Sequence, residues 1–284
     1  MSGQLAEVEA RIETVHKLSA VIAAMRGIAV SRVQDAHRHL DAIRMYAATI
    51  GDAIGHAMSF PVTARLAGDR PPGGEIIVVF CAEQGFAGAF SEKVLTVARN
   101  AAGDVAGPVH MLMVGDRGLL AAQERRVALD WTASMIAHPD RTAHLAGRIA
   151  QEIFERLATG GVTGVSLVHA SPGGAEGYEV GVKRLVPFDY SRFPPPKSNV
   201  QPLLTLNPDD LLARLVDEYL FAEISEAVML SFAAENEARM RAMIAAHDNV
   251  TRSLEDLVGE SRRLRQDAIT DEIMELATGS LTQL

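Results

Sequence analysis

From Leu5 to Ile54 the chain repeats apolar residues at alternating spacings of three and four. The series is Leu5, Val8, Ile12, Val15, Ser19, Ile22, Arg26, Ala29, Val33, Ala36, Leu40, Ile43, Ala47, Ile50 and Ile54. Thirteen of these fifteen positions are apolar, which is the seam of a coiled-coil helix held over about seven heptads. The exceptions, Ser19 and Arg26, stand close together. Defects of this kind often only mark register, and that reading stands beside a contact with another chain. The last 76 residues show the same habit, with Leu254, Leu257, Ser261, Leu264 and Ala268 at 3,4 spacing. Ala234, Ala238, Ala242 and Ala245 add a stripe of small residues that lets another helix come close. Pro208-Asp209-Asp210 predicts the start of this second helix, with its acids near the positive end of the helix dipole.

Between the two helical stretches the period changes. Glu75–Phe80 is a continuous apolar, β-branched run, as a buried parallel strand requires. Strands follow at Val109–Gly115, Val127–Trp131, Val165–Ala170 and Tyr178–Leu185, the last two joined through Ser171-Pro172-Gly173-Gly174. Helices are predicted over Ala89–Ala101, Asp116–Arg126 and Arg141–Ala158. Alternating strands and helices predict a Rossmann-like, doubly wound α/β domain. The three parts are residues 1–60, 61–208 and 209–284. If the outer helices return antiparallel from the central block, the first is about 80 Å long and the second about 110 Å. Residue 1 is then level with about residue 268. The apolar end carrying Ile269, Ile273, Met274, Leu276, Ala277 and Leu281 outruns its partner. It is either a frayed tail or a surface for another protein.

Composition sharpens this division. All 12 prolines of the 284-residue chain lie between Pro61 and Pro208, so the outer helices have no proline to break them. The net charge of −9 falls wholly in the last 76 residues, with seven basic and sixteen acidic groups. An acidic chain lacks the basic face that phosphate contacts need, so nucleic acid is not an expected partner. The first helix shows neither a membrane span nor a signal peptide. Cys81, the one cysteine, ends the first strand and reads as a structural thiol in a reducing compartment.

A doubly wound domain invites a search for a nucleotide site, and the motifs are missing. The turn Cys81-Ala82-Glu83-Gln84-Gly85-Phe86-Ala87-Gly88 lacks the three-glycine fingerprint. No Gly-Lys-Ser or Gly-Lys-Thr is present. The nine histidines show no metal spacing, and Gly164-Val165-Ser166-Leu167-Val168 lacks the second glycine of a nucleophile elbow. The residues that stand out are a cluster of Met25, Arg26, Arg239, Met240, Arg241 and Met243, brought level by the antiparallel geometry. Methionines there are ordinary gap-fillers, whereas arginines within a coiled coil need acceptors, some of them from another chain. Arg239→Ala is accordingly expected to impair coupling to a partner more than folding.

Several of these stretches resemble the gamma subunit of F-type ATP synthases. They are Arg11-Ile12-Glu13-Thr14-Val15, Ala24-Met25-Arg26 and Ala29-Val30-Ser31-Arg32 near the start. Near the end they are Glu235-Asn236-Glu237-Ala238-Arg239-Met240-Arg241-Ala242-Met243 and Arg265-Gln266-Asp267-Ala268-Ile269-Thr270-Asp271-Glu272-Ile273. The order of helix, α/β domain and helix matches too. The resemblance implies the shaft of a rotary motor, an antiparallel coiled coil of the N- and C-terminal helices plus the α/β domain. It implies a non-catalytic subunit whose partners are the alpha and beta subunits of a catalytic hexamer, the epsilon subunit and the membrane c-ring. The chain itself would touch the membrane only indirectly, at the cytoplasmic face of a bacterial inner membrane. It implies no cofactor on this chain, with ATP, ADP and Mg at partner subunits. Carried over residue by residue, Met25, Arg26, Arg239, Gln266, Thr270 and Glu272 fall where the family's shaft meets its partners or transmits torque. Ala20 and Ala23 depart from a region usually rich in lysine, and the second helix is unusually acidic. These departures leave an accessory ATPase of the same class open. The other readings of the pattern are a coiled-coil adaptor with an α/β recognition head and a small-molecule enzyme.

Overall fold

A computed structural model describes residues 2–61, 73–174, 177–194 and 203–281 of the chain, without the side chains of residues 2 and 275–281. Two helices frame it, α1 (Ser2–Ala57) and α5 (Pro208–Leu281). At the usual rise their 56 and 74 residues span about 84 and about 111 Å. The predicted start of α5 holds, and Asn207 caps it: its side-chain oxygen accepts the Asp209 N–H at 2.9 Å. Between the helices lie β1 (Gly74–Phe80), α2 (Phe90–Gly103), β2 (Val109–Val114), α3 (Asp116–Glu124), β3 (Trp131–Ala133), α4 (Thr142–Ala158), β4 (Val162–Pro172) and β5 (Tyr178–Val186). By contacts the chain forms two compact units, Ala29–Arg239 and Met1–Ile28 with Met240–Leu284.

In the larger unit the sheet order is β3-β2-β1-β4-β5. β1 pairs in parallel with β2 and β4, and β3 with β2, while β5 returns antiparallel along β4. The β1–β4 boundary, where the strand order reverses, is the switch point at which doubly wound sheets bind ligands. Alternation along β1 sorts the core into two layers. Ile76, Val78 and Phe80 face Leu145, Ile149 and Ile153 of α4, with Leu220, Ile224, Val228 and Phe232 of α5. Ile77, Val79 and Cys81 face Phe90, Val94 and Leu95 of α2, with Ala121 and Ala122 of α3. Helix α5 thus takes the place of a sheet-covering helix, which explains why so much of it is apolar between Leu212 and Ala238. Cys81 is fully buried, and that burial pushes its thiol up to about 12, as a structural role requires.

One strand differs from its prediction. Val127–Asp130 is not extended in the sheet, and pairing begins only at Trp131, opposite Leu112. The Val127 N–H instead closes α3 on the Ala122 carbonyl at 2.9 Å, and the Asp130 carboxylate accepts the Met111 N–H at 2.9 Å. These local bonds satisfy the backbone before a ladder begins. In the run Phe193-Pro194-Pro195-Pro196, which the sequence predicts as a stiff lead into α5, the last two residues lie outside those described. Phe193 is buried with Ile54, Leu212 and Tyr219.

In the smaller unit α1 and α5 pair antiparallel, and the Arg265 guanidinium meets the Glu9 carboxylate at 2.7 Å. The antiparallel geometry puts Glu9 level with about residue 260, within about two turns of its observed partner. The seam is where the spacing places it. Over α1, every seam position from Leu5 to Ile54 except Arg26 is buried or half-buried. Leu254, Leu257, Ser261, Leu264 and Ala268 behave the same way on α5.

Candidate functional site

At the carboxyl ends of β1, β2 and β3 three loops converge, and carboxylates of the chain's own fill the space between them. Glu235 lies on α5 with its side chain 4 % exposed. Its two oxygens accept the backbone N–H groups of Glu83 and Gln84, both at 3.2 Å. Arg239, one turn on, donates to Glu235 and to Asn236 Oδ1 (3.0 Å). It also donates to the carbonyls of Gln84 and Gly85, both at 3.1 Å. Glu83 then reaches across to accept the N–H groups of Met135 at 2.7 Å and Asp116 at 3.3 Å. Burial raises the Glu83 pKa, and the two backbone donors oppose the rise. Gly115 permits the close approach: a Cβ there would lie 2.4 Å from the Cys81 carbonyl oxygen.

In doubly wound folds the turn after the first strand is where a ligand's anion binds. The amides at the end of β1 already have their anion, supplied by Glu235. What remains beside them is a cleft of about 250 Å³ lined by Gln84, Phe86, Ser91, Arg117 and Leu120. Phe86 caps the loop with φ of 63° and is 67 % exposed.

Nearer the start of α5, its acidic excess has an internal use. Glu223, 4 % exposed, pairs with Lys183 and, at 3.2 Å, with Arg192. Glu226 pairs with Arg44 at 2.8 Å and Lys183 at 3.3 Å. Burial alone raises Glu226, but Arg44 and Lys183 outweigh it and hold its pKa below the ordinary value. Tyr46 donates to Glu218 at 2.7 Å.

Met25 is half-buried and Arg26 exposed, side by side in the coiled-coil unit. Arg239 belongs to the α/β unit and is 4 % exposed. The sequence predicts some of its acceptors on another chain, whereas its guanidinium here donates to Gln84, Gly85, Glu235 and Asn236 of its own chain. Gln266, Thr270 and Glu272 are exposed, and the Thr270 hydroxyl donates to the Gln266 carbonyl at 2.9 Å. On the same helix Ile269 and Ile273 are 53 % and 61 % exposed. Leu276, Ala277 and Leu281 lie outside the described side chains.

Two features escaped the sequence reading. Leu18, Val21 and Ile28 are 49–55 % exposed and form a second apolar stripe with Met25 at 3,4,3 spacing. That spacing is visible in the sequence once the main seam is subtracted. Glu235 opens one of the resembling stretches without a role assigned to it, although Glu235 and Arg239 form an i,i+4 acid–base pair beside the alanine stripe. Glu83 and Gln84 stand in the turn searched for a nucleotide fingerprint, but nothing in the sequence ties them to Glu235. Among the described residues no group of three or more His, Cys, Asp or Glu side chains is placed to hold a metal ion. No helix in this set is long and apolar enough to cross a membrane.

Fold and site together define a class: a coiled-coil protein whose two helices hold a doubly wound α/β sheet with its ligand crevice filled from within. Comparison with known proteins narrows it. The family model described as ATP synthase matches residues 4–281. The ATP synthase gamma chain of a Parafrankia species is 31 % identical over 303 residues, covering 99 % of this chain and 98 % of that one. The gamma chain of Leifsonia xyli is 26 % identical, with the same coverage. Among solved structures, a chain of the Euglena gracilis mitochondrial ATP synthase in rotational state 3 superposes with a TM-score of 0.64 at 14 % identity. It covers 99 % of this chain and 95 % of its own length. A Tetrahymena thermophila central-stalk chain reaches 0.55 at 18 % identity, over 80 % of this chain and 99 % of its own. The chain belongs to the ATP synthase family, among its gamma chains.

Proposed function

We propose that this chain is the central rotor shaft of a rotary F-type ATP synthase, coupling ion flow through a membrane ring to ATP synthesis or hydrolysis on partner subunits. It is a non-catalytic subunit in this reading. ATP, ADP and Mg belong to the catalytic hexamer of alpha and beta subunits. The epsilon subunit and the c-ring are its partners at the α/β end, and its membrane association, at the cytoplasmic face of a bacterial inner membrane, is peripheral. The observation that carries the proposal is the apolar surface left open on the coiled-coil unit of a gamma-family chain. Leu18, Val21 and Ile28 on α1, with Ile269 and Ile273 on α5, face outward. Exposed apolar stripes on helices need a protein surround. A sleeve of catalytic subunits supplies one.

In that sleeve Met25, Arg26, Gln266, Thr270 and Glu272 act by contact and packing. An exposed Arg26 on an otherwise covered seam offers a charged donor to a partner loop. Arg239 acts differently, by tying α5 to the sheet. Torque of this kind requires that the shaft favour different partner states at different angles.

Assembly tests the reading. The purified chain is expected to assemble with an alpha–beta hexamer and support ATP-driven ion pumping in reconstituted vesicles. Failure to assemble would end the rotor reading and favour a coiled-coil adaptor. Truncation after Thr270 is expected to weaken seating in the hexamer while leaving the thermal transition of the α/β unit in place. Normal seating and coupling of the truncated chain would remove the tail from the bearing.

A further inference from the structure

We propose that Glu235 is a positioning residue for rotary coupling: it pins α5 in register with the sheet of the α/β unit. The proposal rests on the rotor reading above. Two kinds of contact join α5 to the sheet. The first is apolar, from Leu220, Ile224, Val228 and Phe232 onto Ile76, Val78 and Phe80. Such contact is strong but non-directional, so it resists separation better than it resists sliding or twisting. The second is directional. Lys183 of β5 pairs with Glu223 and Glu226, and at the end of β1 Glu235 accepts two consecutive backbone N–H groups while Arg239 donates to the next two carbonyls. The Glu235 and Arg239 side chains are 4 % exposed, so their bonds form away from water, where charge-assisted hydrogen bonds are strongest.

The geometry gives the pair a defined task. The N–H groups of Glu83 and Gln84 and the carbonyls of Gln84 and Gly85 belong to one rigid stretch of backbone. Gripping both donors and acceptors fixes that stretch in position and in rotation about α5. The grip spreads, because the Glu83 side chain ties the same stretch to the starts of the segments after β2 and β3. A load applied along or around α5 therefore reaches three strands of the sheet through one carboxylate. Glu235 touches no substrate and acts only through the loop it holds.

The test uses the assembled, membrane-reconstituted complex carrying Glu235→Ala, Glu235→Gln or Val228→Ala. Val228→Ala thins the apolar contact of the same helix without touching the pin. Hydrogen exchange at the Glu83 and Gln84 amides is expected to quicken about tenfold in Glu235→Ala, as loss of one buried bond implies. It should rise less in Glu235→Gln, whose amide oxygen still accepts one bond. ATP-driven pumping relative to ATP hydrolysis should fall in the order wild type, Gln, Ala. Val228→Ala should lower thermal stability while leaving both that ratio and the two amides unchanged. Faster exchange with an unchanged ratio would overturn the proposal, as would unchanged exchange. An equal loss of coupling in Val228→Ala would overturn it too, by making the effect one of stability. Failure of the wild-type chain to assemble or pump would instead sink the rotor reading itself.

Discussion

Within Ala29–Arg239, α5 buries Leu220, Ile224, Val228, Met229, Phe232 and Ala233 together with charged residues that have partners. Within the other unit the same helix buries only Met243, Leu257 and Ser261 among its described residues, and α1 only Val8 and Ile22. The cause is the number of layers. A helix on a sheet, itself covered by other helices, is enclosed on most sides and has room to bury acids with their partners. Two helices alone enclose one stripe each and leave the remaining faces in water. The α/β unit therefore contains its own stability, while the coiled coil keeps surface for whatever surrounds it.

The measurements that separate the two units run from large effects to small, and the largest belong to the α/β unit. Phe232→Ala is expected to cost about 3–5 kcal/mol through the cavity it leaves. Arg239→Ala is expected to cost a similar ~3–5 kcal/mol, because it strands the buried Glu235 carboxylate. Urea unfolding of the purified chain reads both. A smaller cost for Arg239→Ala would mean that the Glu83 and Gln84 amides hold the Glu235 carboxylate without it. Leu257→Ala in the coiled coil should cost less, about 2 kcal/mol, since two helices close over a gap more readily than an enclosed core does. Equal losses at Phe232 and Leu257 would erase the distinction.

Acid should act on the α/β unit through His169. Burial is the main cause of its lowered pKa, with Lys183 adding to it, while the Ala170 carbonyl, Glu226 and Glu223 pull the other way. A folded pKa below the unfolded value means stability that is present above about pH 6.5 and lost as pH falls through the folded pKa. Glu226, also lowered, adds a loss further down, below about pH 4.5. Unfolding midpoints measured from pH 7.5 to 4 should decline, and His169→Gln should flatten the upper part of that decline. Smallest of all, Arg265→Ala breaks an exposed pair with Glu9 and should cost less than about 1 kcal/mol. Arg26→Ala should change stability by less than about 0.5 kcal/mol. If Arg26→Ala nonetheless reduces pumping relative to hydrolysis in the assembled complex, the exposed seam position is a partner contact.

Much of the coiled coil was legible because its rule is local. A 3,4 repeat and the absence of proline specify a long helix and its buried stripe, and the structure covers every α1 seam position but Arg26. The second stripe of Leu18, Val21, Met25 and Ile28 obeys the same rule and was masked by the stronger seam. The strands were legible from their apolar runs, except where Asp130 and the end of α3 satisfied the backbone of Val127–Asp130 first. The acidity of α5 looked anomalous in the sequence because its cations, Arg44, Lys183 and Arg192, lie far away along the chain.

The sequence by itself determined two long helices, an alternating α/β block, the missing nucleotide motifs and the family resemblance, all of which rest on short-range spacing. Only the tertiary structure decided what Arg239 and Glu235 do. Their partners at Glu83, Gln84 and Gly85 are about 150 residues away, and no periodicity joins them. A hydrogen bond between distant segments is set by how the sheet brings those segments together, so it becomes visible only once the chain has folded.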